Sequence, residues 1–221
     1  MFDIRFPVRR YEQTVAGFEA RGLDKGRIVF FGNSGFGNWD AQYGIRSMED
    51  DIRMRDGSPA VWNHGLGGST TEDQLYYYHR LVRQYEPRAL VMLSFGNNLE
   101  NGYSPEEMMA LLARICGWAR VDMPGIKIFL CDVRPWSAYE NNVACRGQVH
   151  VYNRLLDEYA AKYDDTVVLK HRESPLFFEE GCVGDYSRLR KDIFVEDGIH
   201  YNQKGFDLYG EFFRNALKDL L

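Results

Sequence analysis

Five short apolar runs, separated by longer segments of helical period, constrain the fold of this chain. The runs are Arg27–Phe31, Ala60–Asn63, Ala89–Ser94, Lys127–Asp132 and Thr166–Lys170. Their apolar residues are consecutive rather than alternating, which is typical of strands that are covered on both faces. Strands that alternate with helices predict parallel β-α-β units. We therefore expect one α/β domain over residues 1–221, with a five-stranded, doubly wound parallel sheet.

Three of the intervening segments carry clear helical signals. Leu75, Tyr78 and Val82 recur at three- and four-residue spacing, which is the period of one helix face. The segment 104–107 reads Ser-Pro-Glu-Glu, a capping box with proline at the first helical position, and predicts a helix start. The last helix is predicted from an apolar stripe of Phe206, Tyr209, Phe213, Ala216 and Leu220.

The charge of the chain excludes two classes of partner. The formal net charge is −5 at pH 7, and the basic residues are scattered, whereas a protein that binds nucleic acid or an anionic membrane normally carries a basic patch. No run approaches the ~20 apolar residues that span a bilayer. We expect neither a nucleic-acid partner nor a membrane partner.

The cysteines and the N-terminal residues indicate a cytoplasmic protein without a metal centre. Cys116, Cys131, Cys145 and Cys182 show no C-x-x-C spacing, so reduced thiols are expected, with no metal and no disulfide framework. Residues 1–13 mix charge into every turn and lack the apolar segment of a signal peptide. A signal removed beforehand would leave no trace in the chain.

Chemically useful groups follow four of the predicted strands. Ser34 follows the first strand, the glycine-rich segment 63–68 follows the second, and Asn98 follows the third. Asp197 and His200 come after the fifth strand and a long irregular segment. Because the carboxyl ends of parallel strands meet at one edge of a sheet, we expect these groups to lie close together.

This set of groups fits acyl transfer. A serine hydroxyl becomes nucleophilic when a base takes its proton, and a carboxylate fixes the tautomer of that base. The three-residue spacing of Asp197 and His200 lets both side chains point the same way, with the second ring nitrogen facing Ser34. The Gly68 N–H and the Asn98 carboxamide are suitable donors to an oxyanion, and the loss of one such donor costs roughly 3 kcal/mol.

Each segment also has an ordinary interpretation when it is taken alone. Residues 32–35 (Gly-Asn-Ser-Gly) are typical of a turn, and a phosphate-binding loop is disfavoured by the missing G-x-G-x-x-G spacing and Walker lysine. Asn98 could lie in a turn or cap a helix. Asp197 and His200 could form a salt bridge at a helix entry. The occurrence of all four segments in order, each after its own strand, favours the catalytic interpretation.

Together the four segments resemble the sequence blocks of the SGNH (GDSL-like) hydrolases, a family of esterases, lipases and carbohydrate deacetylases. Residues 30–34 resemble the G-D-S block, 63–70 the second block, 96–98 the G-x-N-D block and 197–200 the D-x-x-H block. The resemblance implies a flavodoxin-like, three-layer α/β/α sandwich that needs no cofactor. It implies the following site residues: Ser34 as nucleophile, Asp197 and His200 as acid and base, and Ser34, Gly68 and Asn98 as oxyanion donors.

Two positions depart from the family pattern. Asn33 stands where the family has an aspartate before the serine, and Leu99 stands where it has an aspartate after the asparagine.

The expected function is a serine esterase that removes a short acyl group, such as acetyl, from a carbohydrate or similar small molecule. The alternatives are a lysophospholipase or thioesterase of the same fold, and a non-catalytic carbohydrate-binding module. A homo-oligomer is compatible with the sequence, but nothing in it identifies the surface.

Several further residues are candidates for the rim of the site, although a core or surface position explains them equally well. The candidates for substrate binding are Trp39, Tyr103, Arg134, Trp136 and Tyr139. Of the remaining histidines, we expect His64 to be structural. The other three, His79, His150 and His171, are expected on a helix surface or in a loop.

Overall fold

Five parallel strands form the centre of the molecule. The computed structural model describes residue 7, residues 9–136 and residues 143–221, apart from the side chains of 143 and 144. The strand order in the sheet is β2-β1-β3-β4-β5, and every pairing is parallel. The strands are β1 (Ile28–Gly32), β2 (Val61–Gly65), β3 (Ala89–Leu93), β4 (Lys127–Cys131) and β5 (Thr166–Leu169). The predicted sheet is confirmed, with strand ends within two residues of those expected.

The strand order places a topological switch at β1. Ile28 of β1 is aligned with Val61 of β2 on one side and with Ala89 of β3 on the other. The chain therefore leaves β1 in one direction to form β2 and returns past it to form β3. A crevice opens at the carboxyl end of the strand where the order reverses, and sites of α/β proteins form there. Ser34 follows β1 directly.

The predicted helices near residues 75–82, after Ser104 and near the C-terminus are confirmed. Ser104 and Glu107 form the reciprocal hydrogen bonds of a capping box. The helices of the described residues are α1 (Glu12–Glu19), α2 (Ser34–Gly37), α3 (Met48–Asp51), α4 (Thr71–Leu81), α5 (Asn97–Glu100), α6 (Pro105–Asp122), α7 (Val143–Ala160) and α8 (Gln203–Ala216).

Two apolar cores lie on opposite faces of the sheet. Val29 and Phe31 of β1 pack into a core shared with α1, α4, α6 and α7. Ile28 and Phe30 pack into a second core with α2, α3 and α8. Neighbouring residues of one strand point to opposite faces, so a strand covered on both sides must be apolar throughout. The fold is the three-layer α/β/α sandwich that the sequence predicts.

None of the helices in the described ranges is long and apolar enough to cross a membrane. Cys116, Cys131 and Cys182 are free thiols. Within the same ranges, no three metal-binding side chains converge on one point.

Candidate active site

Three side chains form a hydrogen-bonded series at the carboxyl edge of the sheet. Ser34 Oγ lies 3.1 Å from His200 Nε2, and His200 Nδ1 lies 2.6 Å from Asp197 Oδ2. The other oxygen of Asp197 accepts backbone N–H groups from Ile199 at 2.7 Å and from His200 at 2.8 Å. A hydroxyl, an imidazole and a fixed carboxylate in this order can transfer the serine proton to the imidazole.

The position of Ser34 is set by the start of α2. The Asn33 side chain caps this helix, since its Oδ1 accepts the Gly35 N–H at 2.9 Å. Asparagine and aspartate cap helices about equally well, so the departure from the family pattern at residue 33 keeps the cap. Ser34 is the first residue of α2, and the first N–H groups of a helix have no acceptor within it.

A close backbone contact brings α2 onto β2. A Cβ atom built at Gly65 would lie only 2.1 Å from the Gly37 nitrogen. The buried Asn63 adds hydrogen bonds from its Nδ2 to Phe36 O at 2.9 Å and to Trp39 O at 3.3 Å. These contacts fix the short helix that carries Ser34.

The loop that carries Asp197 and His200 is held from two sides. Gly198 adopts a φ of +64°, which turns the chain between the two side chains. Arg134 Nη2 donates to Ile199 O at 2.7 Å, and the guanidinium carbon lies 4.3 Å from the centre of the Tyr201 ring. Burial alone would raise the pKa of Asp197, but the hydrogen bonds from His200 and from the Ile199 N–H outweigh it and lower this pKa. Asp197 is therefore ionised at neutral pH.

A β-turn after β2 presents a free N–H beside the end of β1. Ser69 N donates to Leu66 O at 3.0 Å, and Leu66 N donates to Gly32 O at 2.8 Å, one residue before Asn33. Gly68, inside the turn, has a φ of +76°. Its N–H donates to no acceptor among the described residues.

The Asn98 carboxamide is fixed with one end unused. Its Oδ1 accepts the N–H and the hydroxyl of Thr71, each at 3.2 Å. Its Nδ2 is buried and has no hydrogen-bond partner in the part of the chain that the structure describes. The neighbouring Asn97 differs, because its Nδ2 already donates to Ser69 O at 3.0 Å. Both N–H bonds of the Asn98 amide are therefore unused among the described residues, whereas Asn97 has committed one of its two.

A cavity of about 360 Å³ opens beside Ser34 and His200. Arg134 and Trp136, two of the predicted rim residues, line it. Its apolar wall consists of Leu93, Phe95, Leu99, Val133, Trp136 and Ile199. Its polar wall includes Asn33, Ser94, Asn97 and Glu100. Gly68 and Asn98 do not line this cavity, but Asn98 lies in α5 between Asn97 and Leu99, which do.

Two of the predicted rim residues are core residues instead. Trp39 is fully buried and stacks on Phe206 of α8, with ring centres 5.4 Å apart. Tyr103 is only 4% exposed, and its hydroxyl donates to Glu72 at 2.6 Å. Neither lines the cavity, so their proposed contact with the substrate is wrong. Tyr139 lies outside the described residues.

The histidines outside the site differ in burial. His64 is buried, as a structural residue should be, and its Nδ1 lies 2.6 Å from Leu81 O. His171, expected on a surface or in a loop, is fully buried, with Nδ1 2.8 Å from Asp132 Oδ1. His171 begins a short 3-10 turn after β5, so it lies in a connecting segment as expected, but its ring is buried against Asp132. His79 and His150 are exposed, as expected.

Phe95 is a cavity residue that the sequence did not reveal. It has a φ of +115°, a backbone conformation that costs a bulky residue about 1–3 kcal/mol. Its ring packs on Tyr152 with ring centres 5.2 Å apart. Positive φ in a non-glycine residue has no sequence signature, so this wall of the cavity could not be foreseen.

Comparison with known proteins gives one family. Residues 30–208 match the model of the GDSL-like Lipase/Acylhydrolase family. This range contains Ser34, Gly68, Asn98, Asp197 and His200. The sequence matched none of the curated proteins with which it was compared.

Solved structures with the same fold share little sequence with this chain. A GDSL-like lipase from Bacteroides thetaiotaomicron is 19% identical with a TM-score of 0.75, and the match covers 97% of this chain and 100% of that one. The structure of TesA is 20% identical with a TM-score of 0.63, and the match covers 88% and 99% of the two chains. An acetyl xylan esterase is 16% identical with a TM-score of 0.65, and the match covers 86% and 99%. At these identities the likeness establishes the fold alone.

Proposed function

Because the chain belongs to the GDSL-like lipase/acylhydrolase family, and is therefore a hydrolase that acts on esters, we propose that Ser34 attacks the ester carbonyl. The observation that carries this proposal is the hydrogen-bonded series from Ser34 Oγ through His200 to Asp197, with distances of 3.1 and 2.6 Å. His200 takes the serine proton and returns it to the leaving alcohol. Asp197 orients the imidazole and stabilises its cation.

Three donors stabilise the negative oxygen of the tetrahedral intermediate in this mechanism. They are the N–H groups of Ser34 and Gly68 and the Nδ2 of Asn98. Support comes from their unused hydrogen-bonding capacity: Ser34 N begins a helix, and neither Gly68 N nor Asn98 Nδ2 has an acceptor among the described residues. Collapse of the intermediate expels the alcohol and leaves an acyl group on Ser34. Water, activated by His200, then releases the acid.

The substrate we propose carries a short acyl group, such as acetyl on a carbohydrate. The cavity of about 360 Å³ lies at the small end of the ~300–1,000 Å³ that is typical of small-molecule sites. Asn97, Glu100 and Arg134 give the cavity polar groups that suit a hydroxylated leaving group. One protein of the same fold is described as an acetyl xylan esterase, which makes acetylated xylo-oligosaccharides a sensible probe.

A longer acyl chain is the second candidate. The cavity lining also includes the apolar residues Leu93, Phe95, Leu99 and Val133, which would suit the acyl chain of a lysophospholipid or thioester. A series of p-nitrophenyl esters separates the two candidates. We expect kcat/KM to be highest for the acetate or butyrate ester and to fall for octanoate and laurate. Highest activity on octanoate or laurate would overturn the short-chain proposal.

The role of Ser34 is tested by hydrolysis of p-nitrophenyl acetate. We expect Ser34→Ala to lower kcat at least about 10³-fold, because loss of a nucleophile removes the covalent route. Ser58→Ala is the matched control, since Ser58 is exposed and its hydroxyl contacts only Asp56. This control should keep the parent activity. Equal rates for the parent and Ser34→Ala, on this ester and on acetylated xylo-oligosaccharides, would exclude Ser34 as the nucleophile.

A further inference from the structure

The turn after β2 contains a peptide group with two alternative orientations. Ser69 N donates to Leu66 O at 3.0 Å, so residues 66–69 form a β-turn whose central peptide joins Gly67 to Gly68. The φ of Gly68 is +76°, which is typical of the third residue of a type II turn, whereas a type I turn has about −90° there. The two turn types differ by a flip of the central peptide. That flip reverses the directions of the Gly67 carbonyl and the Gly68 N–H.

The turn itself contributes little to the choice between the two orientations. Glycine adopts positive and negative φ about equally well, and both central residues are glycine. A Cβ atom built at Gly67 would meet no atom within 4 Å, so this side of the turn is open. A hydrogen bond from outside the turn can therefore decide the orientation of the peptide.

Tyr11 supplies such a hydrogen bond. Its hydroxyl donates to Gly67 O at 2.9 Å, across 56 residues of sequence. The Gly67 carbonyl and the Gly68 N–H belong to the same planar trans peptide and point in opposite directions. A donor that holds the carbonyl on one side thus holds the N–H on the other side. Arg10 Nη2 adds a long contact to Gly68 O at 3.5 Å.

The residues around Tyr11 are themselves firmly attached. The Tyr11 N–H donates to Tyr77 Oη at 3.3 Å, and the two rings meet edge to face with centres 6.4 Å apart. Arg10 Nε donates to Asp73 Oδ1 at 2.9 Å, and the buried Asp73 also accepts the Thr70 N–H at the start of α4. Burial raises the pKa of Tyr11, so its hydroxyl remains a donor through neutral and mildly alkaline pH.

We propose that Tyr11 is a positioning residue for ester hydrolysis: its hydroxyl holds the Gly67–Gly68 peptide in the orientation that presents the Gly68 N–H to the oxyanion. The inference rests on the proposed function, because that function gives Gly68 its role as a donor. A hydrogen bond accepted by the Gly67 carbonyl also polarises the peptide and strengthens the N–H as a donor. Tyr11 needs no contact with the substrate for this role.

The test is Tyr11→Phe, which removes the hydroxyl and keeps the ring. On p-nitrophenyl acetate we expect kcat to fall about fivefold, the effect of one hydrogen bond, with KM within about twofold of the parent, because the donor acts on the transition state. The affinity for a trifluoromethyl ketone, whose adduct with Ser34 carries the oxyanion, should fall by the same factor. Tyr43→Phe is the control. Tyr11 and Tyr43 both line a second cavity of about 290 Å³, which shares no lining residue with the cavity beside Ser34. Tyr43 is exposed, and its hydroxyl bonds to no described residue.

A second variant tests the orientation directly. Proline before glycine favours a type II turn, so Tyr11→Phe should lower kcat less in a Gly67→Pro background than in the parent, by no more than about twofold relative to Gly67→Pro alone. Rates are expressed per site titrated with a fluorophosphonate, which removes any effect of misfolded protein. An unchanged kcat per titrated site in Tyr11→Phe would overturn the inference. So would a loss from Tyr11→Phe that is as large in the Gly67→Pro background as in the parent. If Ser34→Ala hydrolyses the ester as fast as the parent, the proposed function itself fails. This comparison is made in parallel, so the two failures can be told apart.

Discussion

At the scale of single residues, Asn33 shows how a departure from the family pattern can leave the local structure unchanged. A helix cap needs a short side chain with an oxygen acceptor, and its charge is secondary. Asn33 Oδ1 accepts the Gly35 N–H at 2.9 Å. Ser34 lies between these two residues, so the cap orders the backbone on both sides of the proposed nucleophile.

We expect Asn33→Asp and Asn33→Ala to differ sharply. Aspartate keeps the acceptor, so its kcat should stay within about twofold of the parent and its free energy of unfolding should be unchanged. Alanine leaves the Gly35 N–H without its cap, which costs about 1 kcal/mol, and kcat should fall because Ser34 loses its fixed position. Urea denaturation and hydrolysis of p-nitrophenyl acetate measure both effects. An Asn33→Ala variant as stable and active as the parent would contradict the assigned role.

Only part of the candidate site was open to prediction from sequence. Ser34 directly follows β1, whereas Asp197 and His200 follow a long segment after the edge strand β5. The D-x-x-H motif, more than the strand order, predicted that they reach Ser34. Trp39 also follows β1, but the four-residue helix α2 turns the chain back, and the ring packs against α8. No sequence pattern indicated a role for Tyr11, because its contact with Gly67 spans 56 positions and depends on how α1 packs.

At the scale of secondary-structure elements, the strands were easier to predict than two of the helices. A strand covered on both faces must be apolar at every position, and this leaves a continuous run in the sequence. Helix α1 buries only Val15 among its described side chains, and no side chain caps its start. Helix α7 buries Val149, Tyr152 and Leu156 at helical spacing. Both helices are held by tertiary packing more than by local sequence signals.

The contact between α2 and β2 makes Gly65 a position where one methyl group should disturb the site. A Cβ atom there would lie 2.1 Å from the Gly37 nitrogen, so α2 must shift and carry Ser34 with it. Overpacking of this kind costs about 1–3 kcal/mol. We expect Gly65→Ala to lose that much unfolding free energy in urea and to lower kcat at least about tenfold, since the hydrogen bond to His200 depends on the place of α2.

Gly117→Ala is the matched control for this prediction. Gly117 lies inside α6, and a Cβ atom built there meets nothing within 4 Å. Alanine is favoured over glycine in a helix by about 1 kcal/mol, so this variant should be more stable than the parent and equally active. If Gly65→Ala also kept the parent kcat, the place of Ser34 would not depend on the close approach of α2 to β2.

At the scale of the whole molecule, the packing of α1 against the sheet creates a pH-dependent stability. His64 of β2 is fully buried, with its ring centre 5.2 Å from that of Phe18 of α1 and 4.5 Å from that of Tyr85. Its Nδ1–H donates to Leu81 O at 2.6 Å, while its Nε2 has no partner among the described residues. Burial lowers the pKa of His64 from 6.5 to about 3, so the folded protein keeps this ring neutral.

Linkage then fixes the direction of the pH effect. Between pH 6.5 and about 3 the unfolded chain binds a proton at His64 that the folded chain does not, so the free energy of unfolding falls as the pH falls, by up to about 1.4 kcal/mol per pH unit.

His64→Asn keeps a donor near Nδ1 but cannot titrate. It should be less stable than the parent at neutral pH, because it leaves a cavity, yet lose stability less steeply on acidification. Urea denaturation at several values between neutral pH and pH 4.5 measures the two slopes, with the exposed His79→Asn as the control that keeps the parent slope. Parallel curves for the parent and His64→Asn would show that the buried ring of His64 takes up its proton in the folded state.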